Sequence, residues 1–141
     1  MKSLVLSAAL ALVLPGMALS QGAMSPQEKG LSTPVIALMP VIMKNVDTLG
    51  LDAAQKAALD EWMAVAPQKR GALEDETAAL RAQMKDAILA NAPVEEREAL
   101  AQQIGANETA LVMMRSGCVD TMRTLLTPEQ FTKVLELAAA K

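Results

Sequence analysis

Two five-residue stretches restrict the fold more than anything else in the chain: Leu51-Asp-Ala-Ala-Gln55 and Leu126-Thr-Pro-Glu-Gln130. Each follows one apolar helical pattern and precedes another. In the second, Thr127 has the side chain of an N-cap and Pro128 the pre-set φ of a first helical residue. Gln130 stands where its side chain bonds back to the cap N–H. Asp52 and Gln55 hold the same places in the first stretch. Each box therefore stops a helix, turns the chain and starts another. Leu51, Asp52, Gln55, Leu126, Thr127 and Gln130 are predicted to be helix-capping motifs with no direct ligand role.

Around the boxes the apolar residues recur at helical spacing. Ser32-Thr33-Pro34 offers a cap with proline in the first turn, and Val35, Met39, Ile42, Val46 and Leu49 form a seam that Gly50 closes. Pro40 lies inside that seam, so the helix kinks there or its regular part begins there. After the first box come Leu59, Trp62, Met63 and Ala66, then Leu73, Leu80, Met84 and Ile88. Pro67 and Gly71 weaken the middle, and one long kinked helix is predicted in preference to two. Glu74, Asp75, Glu76, Arg81, Lys85 and Asp86 read as a solvated charged face. Asn91-Ala-Pro93 combines a left-handed stop with a new start, and Glu95 and Glu96 fall at the positive end of the next helix. That helix, predicted over Val94 to Thr124, carries Leu100, Ile104, Leu111, Met114, Cys118 and Leu125. Gly105 and Gly117 inside it point to a close neighbouring backbone. A last helix runs from Pro128 to about Ala140 on Phe131, Val134, Leu135 and Leu137.

The expected fold is all-α: a long antiparallel helical hairpin, with short flanking helices at both ends folded back towards its open end. Ala, Leu, Met, Gln, Glu, Lys and Arg dominate, all strong helix formers. Trp62 and Phe131 are the only aromatic residues. The core is then thin, and pairing of two chains is expected.

The first twenty residues have the grammar of a signal peptide. Lys2 is a positive n-region, Leu4 to Leu14 an apolar core broken by Pro15-Gly16, and Ala18-Leu19-Ser20 a small-residue cleavage site. The apolar run falls well short of the roughly 20 residues of a transmembrane helix. No Cys lies near the junction for lipid attachment, and no twin-Arg pair precedes the apolar run. The expected organisation is a signal peptide over 1–20, a flexible lead-in over 21–31 and a helical domain over 32–141, in a protein exported to the periplasm.

The chain has no histidine and one cysteine, Cys118. This excludes imidazole general bases, Ser-His-Asp chemistry and imidazole metal ligands. No nucleophile–base pair, paired acidic site or phosphate loop appears, so an enzyme is not expected. A formal net charge of −3, more acidic once Lys2 is removed, argues against nucleic acid. An odd thiol in an oxidising compartment pairs with another chain, lies buried, or holds a metal. Met114, Cys118 and Met122 recur every fourth residue and share one helix face. If the flanking helices fold back, Met39 and Met43 approach Cys118 and Met122.

Leu126-Thr-Pro-Glu-Gln130 matches the Leu-Thr-x-x-Gln motif of the Spy/CpxP family of periplasmic proteins, and Leu51-Asp-Ala-Ala-Gln55 is similar, with Asp replacing Thr. The order of helices and boxes resembles that family over nearly the whole mature chain. The resemblance implies a hooked all-α hairpin that dimerises antiparallel into a cradle. The family includes an ATP-independent chaperone, a repressor of an envelope-stress kinase, a zinc-resistance-associated protein and a nickel and cobalt sensor. The sensor binds metal through a His-x-x-x-His pair on its first helix and a His-x-x-x-Met pair just before the last box. Met39-x-x-x-Met43 and Cys118-x-x-x-Met122 stand at comparable places here, with sulfur replacing every imidazole.

Thioether and thiolate suit Cu(I), whereas imidazole suits nickel, cobalt and zinc. The resemblance thus makes Met39, Met43, Cys118 and Met122 candidate ligands for Cu(I) or Ag(I), with Met63 and Met114 as further donors. The expected function is a metal sensor or resistance accessory. The alternatives are a chaperone for unfolded client proteins and a regulatory partner of a membrane-bound kinase or a sigma-control protein. The same sulfur residues also fit ordinary core packing, and Cys118 also fits an intermolecular disulfide.

Overall fold

Each helix boundary falls where local backbone chemistry favours it. The structure, a computed structural model, describes residues 29–140. The signal peptide expected over 1–20 and most of the lead-in expected over 21–31 lie outside the described residues. Five helices and no strand occur among the described residues: α1 (Met39–Lys44), α2 (Val46–Leu49), α3 (Ala53–Leu89), α4 (Val94–Leu125) and α5 (Pro128–Ala139). None is long and apolar enough to cross a membrane.

α3 and α4 form the expected hairpin. Cross-helix contacts descend one helix as they climb the other: Gln55 meets the Leu125 carbonyl, Glu74 meets Arg115, and Arg81 meets Glu108. The tip is a Schellman-type stop. Asn91 adopts φ 52°, the Ala92 N–H donates to the Ala87 carbonyl at 2.9 Å, and the Asn91 N–H to the Ile88 carbonyl at 3.1 Å. Pro67 lies inside a continuous α3. It has no N–H for the Met63 carbonyl, and packing against α4 on both sides of the gap carries the helix through. At 1.5 Å per residue, α4 is about 48 Å long.

The first helix starts later than the spacing predicts. Ser32 and Thr33 cap nothing; residues 31–38 are irregular, and Val35, placed on the seam by its spacing, is 81 % exposed. α1 begins at Met39, with Pro40 in its first turn. Only there does a missing N–H leave no broken bond; deeper in a helix Pro40 would clash with the Ile36 carbonyl. The turn at Asn45 then separates α1 from α2, with the Asn45 amide bonded to the Val41 carbonyl at 2.7 Å. Gly50 closes α2 at φ 62°, as expected of a left-handed glycine stop.

The core is thick only where α1, α2 and α5 fold over the open end of the hairpin. Leu38, Val41, Ile42, Leu49, Leu51, Leu59, Met122, Leu126, Phe131 and Val134 form one buried cluster there. Towards the tip, Leu80, Ala87 and Leu111 are buried together with Thr77, whose hydroxyl donates to the Leu73 carbonyl at 2.6 Å. Two helices without a third layer cannot cover every seam residue. Ile88 stays 55 % exposed and Met114 40 %, and Leu135 on α5 is also exposed.

Gly105 and Gly117 do not mark a close backbone. Among the described residues, and apart from the local backbone of α4 itself, no atom lies within 4 Å of a Cβ built at either position. Gly105→Ala is therefore expected to stabilise the fold by about 1 kcal/mol, because alanine restricts the unfolded chain and meets nothing in the folded one. Thermal unfolding checks this; a lowered midpoint would show that Gly105 makes way for something outside the monomer.

Candidate functional site at the hairpin mouth

The two boxes are complete capping boxes, and they are also bonded to each other. The Gln55 N–H donates to Asp52 Oδ1 at 2.8 Å and the Asp52 N–H to Gln55 Oε1 at 3.0 Å. The Gln130 N–H donates to Thr127 Oγ1 at 3.2 Å and the Thr127 N–H to Gln130 Oε1 at 2.9 Å. Each glutamine then spends its amide nitrogen on the other box. Gln55 Nε2 donates to Gln130 Oε1 at 2.8 Å and to the Leu125 carbonyl, at the end of α4, at 3.0 Å. Gln130 Nε2 donates to Gln55 Oε1 and to the Leu49 carbonyl, at the end of α2, both at 3.2 Å. A carbonyl left open at the end of one helix is thus satisfied by the box that starts another. Leu51 and Leu126 are buried under this junction.

The capping bonds are made by Asp52, Gln55, Thr127 and Gln130, while Leu51 and Leu126 pack into the core, and the bond between the two boxes is additional to the expected capping. One signal in the sequence bears on it. Glutamate at the third helical position completes a capping box as well as glutamine does. Glutamine in both boxes supplies two NH₂ groups that capping does not use, and half-buried amides need partners.

The sulfur residues divide by position. Met122 is fully buried within the core cluster, and Met39, Met63 and Cys118 pack against that cluster from α1, α3 and α4. Met43 is 46 % exposed on α1, and Met114 is exposed on α4, one turn before Cys118. Among the described residues, no three Cys, Asp or Glu side chains group as metal ligands. A metal here would depend on thioethers.

The charged setting of Cys118 differs from the solvated face predicted around Glu74. Glu74 is buried, not solvated. Its Oε1 lies 3.3 Å from Arg70 Nε and 3.5 Å from Arg115 Nη2, so it bridges α3 and α4. The spacing of charges along α3 could not show which of them α4 would cover. Asp75, Glu76, Lys85 and Asp86 remain exposed as expected. Cys118 is free and half-buried. Burial pushes its thiol above the ordinary range, while Arg70 and then Arg115 pull the other way.

A family model described as LTXXQ motif family protein matches residues 39–137, which takes in both boxes and all but the last two residues of α5. No curated protein and no solved structure matches the chain.

Replacing Gln55 and Gln130 by Glu one at a time keeps the capping oxygens but withdraws the amide donors. Each change is expected to destabilise by about 1–3 kcal/mol. The double variant should lose more than the sum, because two carboxylates then face each other. Denaturant unfolding of the four proteins decides it; strictly additive losses would mean that the boxes cap independently. The Cys118 alkylation rate should rise with pH to a midpoint above that of an unperturbed thiol. Arg70→Gln and Arg115→Gln should each move it higher still, since both cations favour the thiolate.

Proposed function

Because the chain belongs to the LTXXQ motif family, we propose that it is a periplasmic metal-response protein, a sensor or resistance accessory, that binds Cu(I) or Ag(I) through thioether and thiolate sulfur. The observation that carries this reading is the packing of Met39, Met63, Cys118 and Met122 about one apolar cluster from three helices. Soft donors in a water-poor setting suit a soft monovalent ion, and the chain has no imidazole to favour a borderline divalent one. Met43 and Met114 stand on the solvent side of that group, where they fit an entry route or outer ligands. Cys118 is the one donor that must lose a proton to bind; burial opposes that loss, while Arg70 and then Arg115 favour the charged form. The protein acts by binding, with no reaction of its own.

Anaerobic Cu(I) titration against a chromophoric competitor tests this. A stoichiometric site is expected, lost in Cys118→Ala with Met122→Leu. Copper-edge X-ray absorption should show sulfur alone in the first shell. Affinity should weaken as pH falls, by up to about tenfold per unit below the thiol pKa, because one proton competes for the site. Cys118→Ala alone should flatten that dependence. An unchanged affinity in the double variant would remove the reading.

A second reading, chaperone or regulatory partner, is favoured by a different observation. Val35, Val112 and Met113 are exposed around one shallow depression on the hairpin. Such a patch fits an apolar client, a membrane-bound regulator or a second copy of the chain. We take the working form to be a homodimer. Sedimentation of the mature chain, with and without a unfolded client, separates these partners.

A further inference from the structure

Beside the sulfur cluster, and sharing Cys118 with it, the α3–α4 pair carries a trough whose two ends differ in chemistry. Two depressions run along it in succession. The first, of about 630 Å³, is walled mainly by Ala54, Ala58, Trp62, Val65 and Leu125. The second, of about 300 Å³, continues from Trp62 to Lys69, Arg70 and Arg115, with Met114 and Cys118 on the α4 side. Both are bordered by Trp62 and Thr121, so they meet end to end. From Ala54 to Arg70 the trough follows α3 for about 24 Å. Among the described residues, exposed Glu61 is the one carboxylate bordering the apolar part, and none borders the cationic part. Glu74, against Arg70 and Arg115, offsets one of the three cations. A chain of net charge −3 thus gathers an excess of positive charge at one end of an apolar channel.

We propose that this trough binds a single-chain anionic amphiphile, such as a long-chain fatty acid. The tail lies along Ala54, Ala58 and Val65, and the carboxylate meets Lys69, Arg70 and Arg115. Guanidinium groups pair with carboxylates in a planar, two-point geometry. The remaining polar atoms in the wall select a hydrocarbon over a peptide. The hydroxyls of Thr121 and Thr124 already donate to the Gly117 and Asp120 carbonyls. The Gln55 amide is committed to Leu125 and Gln130. An extended peptide would bring backbone donors and acceptors that find few partners here, whereas an alkyl chain brings none. This inference does not depend on metal binding.

Trp62 is the only tryptophan and stands where the two depressions meet, so its emission reports on occupancy. The metal-free secreted chain would be titrated with oleate below its self-association concentration, with oleyl alcohol and oleylamine as controls. A saturable blue shift is expected with oleate. Binding of oleyl alcohol should be roughly tenfold weaker or more, for want of the charged hydrogen bonds, and oleylamine should not bind. Lys69→Gln, at an exposed position, and Arg70→Gln should each weaken oleate without changing the helical circular dichroism. Ala58→Phe, which fills the apolar part, should abolish the shift. Equal affinity for acid and alcohol, no effect of Lys69→Gln and Ala58→Phe, or no Trp62 response would each overturn the proposal. So would displacement of oleate by an equimolar uncharged apolar peptide, which would make the trough a client site instead.

Discussion

The paired amides of Gln55 and Gln130 hold the two ends of the molecule to one another. Each glutamine uses its oxygen to start its own helix and its nitrogen to finish a helix belonging to the other end. Helix ends leave unpaired backbone groups, and burying them unpaired is expensive. Here the open carbonyls of α2 and α4 and the box amides lie in one half-buried junction and satisfy one another. The arms can fold over the hairpin mouth because their polar ends have somewhere to go. The apolar side chains Leu49, Leu51, Leu126 and Phe131 can then close beneath them.

That closure makes the molecule uneven. At the mouth three layers of helix build a core in which Met122, Ile42 and Val134 are fully buried. Beyond it the hairpin is two helices thick, held by short apolar contacts and by ion pairs such as Arg81–Glu108 and the Glu74 bridge. A buried carboxylate between two arginines adds little net stability but fixes which groups must face each other. It also sets the charge around Cys118 and the cationic end of the neighbouring trough. The sulfur cluster lies inside the thick end, while the trough starts beside Leu125 at that end and runs out along the blade, with Cys118 bordering both.

Much of the fold was legible because it rests on local chemistry. Asp52 and Thr127 cap helix starts through bonds made within three residues, Asn91 and Gly50 stop helices, and the apolar spacing of α4 needs only its own residues. The start of α1 was not legible, because Ser32-Thr33-Pro34 and Leu38-Met39-Pro40 are both acceptable beginnings. Burial of Leu38, Val41 and Ile42 under α5 decides between them. Of the candidate site, the two capping boxes could be read. The exposure of Met43 and Met114, the burial of Glu74 and the open space at Gly105 could not, since each depends on what lies across from the helix.

The sequence by itself determined where the helices after Gly50 begin and end, that they pair as a hairpin, and that the only soft ligands are thioethers and one thiol. Those properties follow from backbone dihedrals, hydrogen-bonding side chains and a short repeat, all of which act within a few residues. Tertiary structure alone decided that the two box glutamines bond to each other, that Glu74 lies between Arg70 and Arg115, and that cations collect at one end of the trough. Each of these joins residues far apart in the chain. Such contacts exist only once the packing of one helix has chosen which face of another it covers.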